Sequence, residues 1–195
     1  MILSADKQQL CQQYLNILYC DAHPHYKKQS LAEQQGEILY PSVNKLLSMA
    51  ELSGQDVFAD LGSGIGKLVT QAFLLSPVKE ALGIEIVSEL HQQAALTAQC
   101  LQEELPDFFV DDRKLTFLHG SFLELSIARA TVVLICSTCF DQPLLQALGE
   151  IINATPGIRM VFSLRPISTL QRLVFKKTVR VECSWDSALC YVYSG

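Results

Sequence analysis

The residues best suited to chemistry lie in the segment VFADLGSGIGK, residues 57–67. Asp60 ends an apolar stretch typical of a buried strand, and the turn Gly62–Gly66 then carries three glycines at alternate positions. Glycines let the backbone turn sharply and approach a ligand without an intervening Cβ atom. Glu85 ends the next apolar stretch, where a carboxylate can accept hydrogen bonds from both hydroxyls of a ribose. This arrangement predicts an adenosine pocket at the carboxyl edge of a sheet.

The spacing of the glycines separates two classes of adenosine ligand. Enzymes that bind dinucleotides carry GxGxxG, which packs the start of a helix against a pyrophosphate. This chain has GxGxG preceded by Asp60, and an acidic side chain there would repel a pyrophosphate. We therefore predict S-adenosylmethionine, whose amino acid part would lie near Asp60 and whose ribose would lie near Glu85. The alternatives are a tight turn without a ligand and a nicotinamide-dependent oxidoreductase.

A second short motif, Gly120-Ser121-Phe122, follows the third predicted strand. Phe122 is placed to stack on an adenine face, and Ser121 is placed near the exocyclic amine of the base. The alternative is that Phe122 packs in the core, as an aromatic residue after a strand usually does.

Composition excludes several classes of protein. The chain has 195 residues, of which 49% are hydrophobic and 18% are charged, so it can bury a core as one folded domain. A formal net charge of −5 argues against a broad basic surface for nucleic acid. No apolar run approaches the roughly 18–20 residues that cross a bilayer, and the N-terminus lacks a secretory pattern. We expect no membrane contact.

The seven cysteines are odd in number, and several lie within apolar runs. This pattern favours reduced thiols packed as small hydrophobic residues in a cytoplasmic protein. Cys136 and Cys139 form a lone CxxC motif. A zinc site needs about four ligands, usually from two such pairs, so we predict no metal site. A redox pair is the alternative.

From residue 56 onward, apolar strand patterns alternate with helical patterns. This alternation predicts a parallel sheet with helices on both faces. The last two β-rich stretches, 174–183 and 189–193, are joined by a short turn and would form an antiparallel hairpin on that sheet. The other predicted strands are 57–60, 81–85, 115–119, 131–135 and 158–163, and the predicted helices are 68–75, 87–105 and 141–153.

Two helices are predicted before the first strand. Apolar residues recur at helical spacing over 8–20, and a break is expected at 21–26 around Pro24. A second helix is predicted over 42–52 with Ser42 as its N-cap. We divide the chain into a short helical N-terminal segment, 1–50, and a catalytic domain, 51–195.

Beyond single motifs, the order and spacing of several segments match a known family. The chain resembles the disruptor-of-telomeric-silencing family, histone lysine methyltransferases with the Rossmann-like class I fold, and small lysine methyltransferases of mitochondrial membrane proteins. The glycine motif is shared by class I methyltransferases in general. The resemblance to this particular family depends on Gly36-Glu37, Trp185 and Tyr191. The matching segments are GEILYPSVNKLL (36–47), DVFADLGSGIGKLV (56–69), GIE (83–85), GSF (120–122) and TVVLICSTCF (131–140).

The resemblance implies a set of site residues. A narrow lysine channel beside the sulfonium would fall on Cys136, Phe140 and Tyr191. The family usually has Asn at the position of Cys136 and Asp at that of Ser121. Cofactor contacts would fall on Gln35, Gly36, Glu37, Ile38, Asp60, Gly62, Ser63, Gly64, Gly66, Lys67, Glu85, Ser121 and Phe122.

The function implied is transfer of a methyl group from S-adenosylmethionine to a lysine amine of a protein or peptide, leaving S-adenosylhomocysteine. The alternatives are a class I methyltransferase acting on a small molecule or on RNA, and a cofactor-binding module without turnover. The sequence indicates no strong nucleic-acid surface, and it leaves the oligomeric state open.

Overall fold

The computed structural model describes residues 5–19 and 36–195. Within these residues, one sheet has strands β1 Val57–Leu61, β2 Glu80–Glu85, β3 Lys114–His119, β4 Val132–Ile135, β5 Met160–Ser163, β6 Val174–Glu182 and β7 Ser187–Ser194. The α-helices are α1 Ala5–Tyr19, α2 Tyr40–Ala50, α3 Lys67–Leu75, α4 Ser88–Glu104 and α5 Gln142–Asn153. The predicted break at 21–26 and the predicted contact Gln35 lie outside the described residues.

The sheet has seven strands in the described part of the chain, in the order β3-β2-β1-β4-β5-β7-β6. Strands β1 to β5 run parallel, and β7 is antiparallel to both β5 and β6. This confirms the predicted mostly parallel sheet with an antiparallel C-terminal hairpin. The strand order reverses between β1 and β4, and in open α/β sheets the crevice at the carboxyl ends of such strands is the usual ligand site.

Helices cover both faces of the sheet, as predicted. Buried residues of α2, α3 and α4 form one hydrophobic cluster with one face, and α5 packs in a second cluster against the other. Strands β1, β2 and β4 are buried along their whole length, which explains their lack of polar alternation.

Helix α1 belongs to the first of these clusters. Its residues Cys11 and Leu15 are buried there, and the Tyr19 hydroxyl makes a 2.9 Å hydrogen bond with the hydroxyl of Thr70 on α3. The N-terminal helix therefore packs against the same core as the sheet. The division of the chain at residue 50 stays a prediction.

The predicted N-cap of α2 is wrong. The helix begins at Tyr40, Leu39 occupies the N-cap position, and Ser42 lies inside the first turn. Pro41 explains the earlier start, because proline is preorganised for the first turn of a helix. The Ser42 hydroxyl instead accepts a 2.8 Å hydrogen bond from the backbone N–H of Glu182 and joins α2 to the hairpin.

A polar network around Asp56 fixes the amino edge of the sheet. One carboxylate oxygen accepts hydrogen bonds from the Thr131 hydroxyl at 2.7 Å and from Arg159 Nε at 3.0 Å. The other accepts 2.8 Å hydrogen bonds from the backbone and hydroxyl of Ser53. Burial alone would raise the pKa of Asp56, but these hydrogen bonds, led by that of Arg159, lower it well below its usual range.

Asp56→Ala is expected to lower the free energy of unfolding by about 3 kcal/mol, because it leaves Arg159 and two hydroxyl donors without their acceptor. Denaturant titration at neutral pH measures this. The lowered pKa means that the stability from Asp56 is present above the pKa of an unfolded aspartate and is lost as the pH falls further. The exposed Asp107→Ala is the control, and an equal loss in both variants would contradict the network's importance.

Candidate cofactor and acceptor site

A cavity of about 210 Å³ lies at the carboxyl ends of the central strands. Its walls come from the β1–α3 turn, the tip of β2, the residues after β3 and β4, and the segment before α2. It therefore lies where the strand order reverses. The predicted residues that line it are Gly36, Glu37, Ile38, Asp60, Gly62, Ser63, Gly64, Lys67, Glu85, Ser121, Phe122, Cys136 and Phe140.

Asp60 is the buried acid of this cavity. It is only 4% exposed, and its buried Oδ1 atom has no hydrogen-bond partner among the described residues. Burial, together with the negative charge of Glu85, raises the pKa of Asp60 well above its usual range. A buried acceptor without a partner is costly in a free protein. It suits a ligand that brings its own cationic donor, such as the ammonium of an amino acid.

Glu85 holds the glycine turn in place. Its Oε2 accepts a 2.7 Å hydrogen bond from the backbone N–H of Gly64, and its Oε1 accepts one of 2.8 Å from that of Val87. The carboxylate thus joins the turn after β1 to the turn after β2. Each oxygen keeps a second lone pair, so the group can still accept hydrogen bonds from ribose hydroxyls.

We expect Glu85→Gln to weaken S-adenosylhomocysteine binding about ten-fold, because an amide offers one acceptor oxygen where two backbone N–H groups need one each. Isothermal titration calorimetry with the purified variant measures the change. The matched control is Glu89→Gln, an exposed acid in the first turn of α4. Equal affinities of the Glu85 variant and the wild type would show that the turn does not depend on the carboxylate.

The glycines of the turn have different surroundings. Gly64 has φ +55°, and a Cβ atom added there would meet no atom of the described residues within 4 Å. Gly66 has φ +81°, and its Cβ would lie 2.5 Å from ring atoms of Phe117. Gly64 therefore faces the open cavity, whereas Gly66 allows the start of α3 to pack against β3. This packing is why Gly66, predicted as a cofactor contact, is not among the residues that line the cavity.

A short extended segment, Gly36–Leu39, forms one wall and is called the strap below. It pairs with the turn of the C-terminal hairpin: Leu39 N–H donates to the Glu182 carbonyl, and Ser184 N–H donates to that of Glu37, both at 2.8 Å. The Trp185 ring lies where a side chain of residue 36 would be. Gly36 and Trp185, which are far apart in the sequence, are therefore in contact.

Two side-chain contacts attach the strap to the cavity. Lys67 Nζ lies 3.0 Å from Glu37 Oε2, and this ion pair joins the strap to the start of α3. The Cys136 thiol donates a hydrogen bond to the Gly36 carbonyl, with 3.2 Å between the two atoms. Burial, followed by the nearby Asp60 carboxylate, raises the pKa of the Cys136 thiol, so it stays neutral.

The remaining wall is aromatic. The rings of Phe122 and Phe140 stack with their centroids 5.6 Å apart, and both rings border the cavity. Phe140 is also buried in the second hydrophobic cluster. Ser121 borders the cavity as well, and its hydroxyl accepts a hydrogen bond from the Leu123 backbone at 3.2 Å.

Tyr191 is the predicted acceptor residue that the structure does not bring to the cavity. It lies on β7 opposite Ser163 of β5, with its ring 6.3 Å from that of Phe175. Strand β7 lies beyond β5, two strands away from β4, and this explains the separation. Its role in a lysine channel stays a prediction.

Several lining residues were not predicted from the sequence. They include Tyr40, Ile65, Leu68, Gln71, Ile84, Ile86, Leu90, Cys139 and Leu144. The position of Ile86 in the sequence is a usable signal, because it directly follows the acid at the tip of β2. In the structure this apolar side chain is 59% exposed. Buried Gln71 carried none: its amide donates to the Tyr40 carbonyl at 3.0 Å, a contact set by the packing of α2 on α3.

In the part of the chain that the structure describes, no group of three or more His, Cys, Asp or Glu side chains is arranged to hold a metal ion. No described helix is both long and apolar enough to cross a membrane.

Comparison with known proteins identifies the family. The family model "Histone methylation protein DOT1" matches residues 16–182, most of the chain. The chain belongs to the DOT1 family. An H3 lysine-79 specific histone-lysine N-methyltransferase of Caenorhabditis elegans is 27% identical over 165 residues, which cover 81% of this chain and 17% of the relative. One of Debaryomyces hansenii is 32% identical over 137 residues, covering 67% and 12%. The chain thus spans less than a fifth of the length of these DOT1 relatives.

A solved structure agrees with the DOT1 assignment at the level of fold and cofactor. An RNA methyltransferase of Salinibacter ruber, in complex with S-adenosyl-L-homocysteine, has a TM-score of 0.60 and 25% identity, over 81% of this chain and 92% of its own. This DOT1-family chain therefore has the Rossmann-like class I fold of S-adenosylmethionine-dependent methyltransferases. The unpartnered Asp60 oxygen and the open face of Gly64 fit this cofactor.

Proposed function

We propose that this protein transfers the methyl group of S-adenosylmethionine to a lysine side chain of a protein. The observation that carries the proposal is an uncharged wall of the cofactor cavity, formed by the neutral Cys136 thiol and the Phe140 ring. The names of the relatives, lysine-specific histone methyltransferases, support a protein acceptor. A histone is the first substrate to test.

In this proposal, one end of the cavity holds the cofactor. Asp60 accepts a hydrogen bond from the ammonium of its amino acid part, Glu85 binds the ribose, and Phe122 lies against the adenine. Lys67, the cation among the described lining residues, would bind the carboxylate while sharing its ammonium with Glu37 of the strap. When bound, the cofactor supplies a methyl group on a sulfonium, which is a good leaving group without acid catalysis.

The other end of the cavity receives the acceptor. A lysine must lose its proton before its nitrogen can attack, and an apolar wall lowers the pKa of an amine by disfavouring its charged form. Phe140 and Cys136 supply such a wall and exclude water, whereas Tyr191 does not border the cavity. Catalysis then rests mainly on alignment of the two reactants. Asp60 and Glu85 position the cofactor and do not transfer protons during the reaction.

Incubation of the purified protein with methyl-labelled cofactor and separate pools of core histones, total cell protein, RNA and small metabolites tests the proposal. We expect label in protein, and mass spectrometry of the digested product should place it on lysine. Gly64→Arg is the inactive control. Label in RNA or in small molecules, with none in protein, would refute the lysine assignment. The predicted cytoplasmic location is a separate proposal that fractionation would test.

A further inference from the structure

The CxxC motif forms part of the cofactor cavity. Cys136 directly follows β4, and a single 3-10 turn covers Ser137–Cys139. Both Cys136 and Cys139 border the cavity, and neither forms a disulfide with another cysteine that the structure describes. Cys136 is the N-cap of this turn and lies three positions before Cys139, the spacing at which residues of a 3-10 helix lie on the same side. Two thiols therefore share a wall with the proposed methyl-transfer site.

Hydrogen bonds to the end of β5 and the segment that follows it hold the turn that carries the two thiols. The buried hydroxyl of Ser137 lies 2.9 Å from that of Ser163 and accepts a hydrogen bond from the Arg165 backbone at 2.9 Å. Backbone bonding closes the turn, with Phe140 N–H donating to the Ser137 carbonyl at 3.1 Å. A 3-10 turn rises about 2 Å per residue, so residues three positions apart are about 6 Å apart, which lies within the Cα separation that a disulfide spans.

The Cys136 thiol has a structural task that oxidation would end. Its S–H is the donor to the Gly36 carbonyl and attaches the strap to the end of β4. A sulfur in a disulfide carries no proton and cannot donate. The Gly36 carbonyl would then lose this donor, and the strap would lose one of the contacts that hold it over the cavity.

We propose that Cys136 and Cys139 form a reversible disulfide that weakens cofactor binding by releasing the strap. The oxidant is a small-molecule disulfide of the glutathione class. The Cys139 thiolate attacks one sulfur of that molecule, its S–S bond breaks, and one thiol leaves. Cys136 gives its proton to solvent and attacks the mixed disulfide at Cys139, and the second thiol leaves. The protein loses two electrons and two protons, and one glutathione disulfide becomes two thiols.

The order of the two steps follows from the surroundings of the thiols. Cys139 directly follows the exposed Thr138 in the turn. Burial raises the pKa of the Cys136 thiol, which makes it the slower nucleophile toward an external disulfide. Its attack on Cys139 is intramolecular, so a low thiolate fraction is offset by proximity.

The test equilibrates the purified protein in glutathione buffers of increasing oxidised fraction, blocks remaining thiols and maps the disulfides by peptide mass spectrometry. S-adenosylhomocysteine affinity is measured on the same samples by calorimetry. We expect a Cys136–Cys139 disulfide and affinity about five-fold weaker than that of the reduced protein, since one hydrogen bond to the strap is lost. Dithiothreitol should restore the affinity.

Two variants make the result specific. Cys139→Ser should show the same affinity in reducing and oxidising buffers, and Cys100→Ser, which removes an exposed thiol of α4, should respond like the wild type. Absence of the Cys136–Cys139 disulfide, or an unchanged affinity when it has formed, would overturn the proposal. The cofactor affinity of the reduced protein is measured first, and it does not depend on which acceptor is methylated. Failure of the disulfide proposal can therefore be distinguished from failure of the lysine assignment.

Discussion

The Gly64→Arg variant is expected to stay folded and to give no detectable heat of S-adenosylhomocysteine binding. The position has φ +55° and open space where a side chain would project, so the arginine would extend into the cavity. The left-handed backbone costs a non-glycine residue about 1–2 kcal/mol, which a folded domain usually tolerates. Calorimetry gives the binding result, and circular dichroism with thermal melting gives the folding result. Binding of wild-type strength would move the cofactor away from this turn.

Gly66→Ala, two residues away in the same turn, should instead destabilise the fold. Its Cβ would lie 2.5 Å from the Phe117 ring and 3.0 Å from the Ala94 side chain. We expect a loss of about 3 kcal/mol in the free energy of unfolding, from the combined costs of overpacking and positive φ. If the Gly66 variant were as stable as the Gly64 variant, the two glycines would not have the separate roles that their surroundings indicate.

Asp60→Asn is expected to weaken S-adenosylhomocysteine binding about 100-fold while making the free protein more stable at neutral pH. The binding loss follows from removal of a charge-assisted hydrogen bond to the ligand's ammonium. The stability gain follows from the raised pKa of Asp60, because a buried acid without a partner disfavours the folded state once it ionises. Chemical denaturation and calorimetry on the same preparations measure both effects.

The pH dependence gives this prediction its sign. A folded-state pKa above the unfolded value means that the wild type loses stability as the pH rises from about 4 to the raised pKa of Asp60. The advantage of the Asn variant should grow across this range and then level off. Over the same range, the affinity of the wild type should rise with pH as Asp60 ionises, and that of the variant should not. A stability difference independent of pH would contradict the assigned ionisation of Asp60.

The sequence predicts the parts of the fold that are determined locally. Apolar runs identify the strands to within one or two residues, because both faces of each central strand are covered. The cap of α2 was missed because Ser42 bonds to Glu182, which is distant in the chain. The start of that helix at Tyr40 follows from Pro41, a local signal that the cap pattern hid.

For the site, the sequence predicts residues at the ends of strands and misses those that packing adds. Asp60 and Glu85 are recognisable because parallel strands bring their carboxyl ends together. Gln71 borders the cavity only because α2 packs on α3, and no sequence pattern encodes that contact. Tyr191 matches its motif, but the strand that carries it lies beyond β5 in the sheet, so spacing along the chain did not give its distance from the cavity.

The pairing of the strap with Glu182 and Ser184 has a consequence for biosynthesis. The glycine turn and the tip of β2 leave the ribosome early, but the wall opposite them requires residues synthesised about a hundred positions later. S-adenosylmethionine therefore cannot stabilise a nascent chain by binding to it until the C-terminal hairpin has emerged.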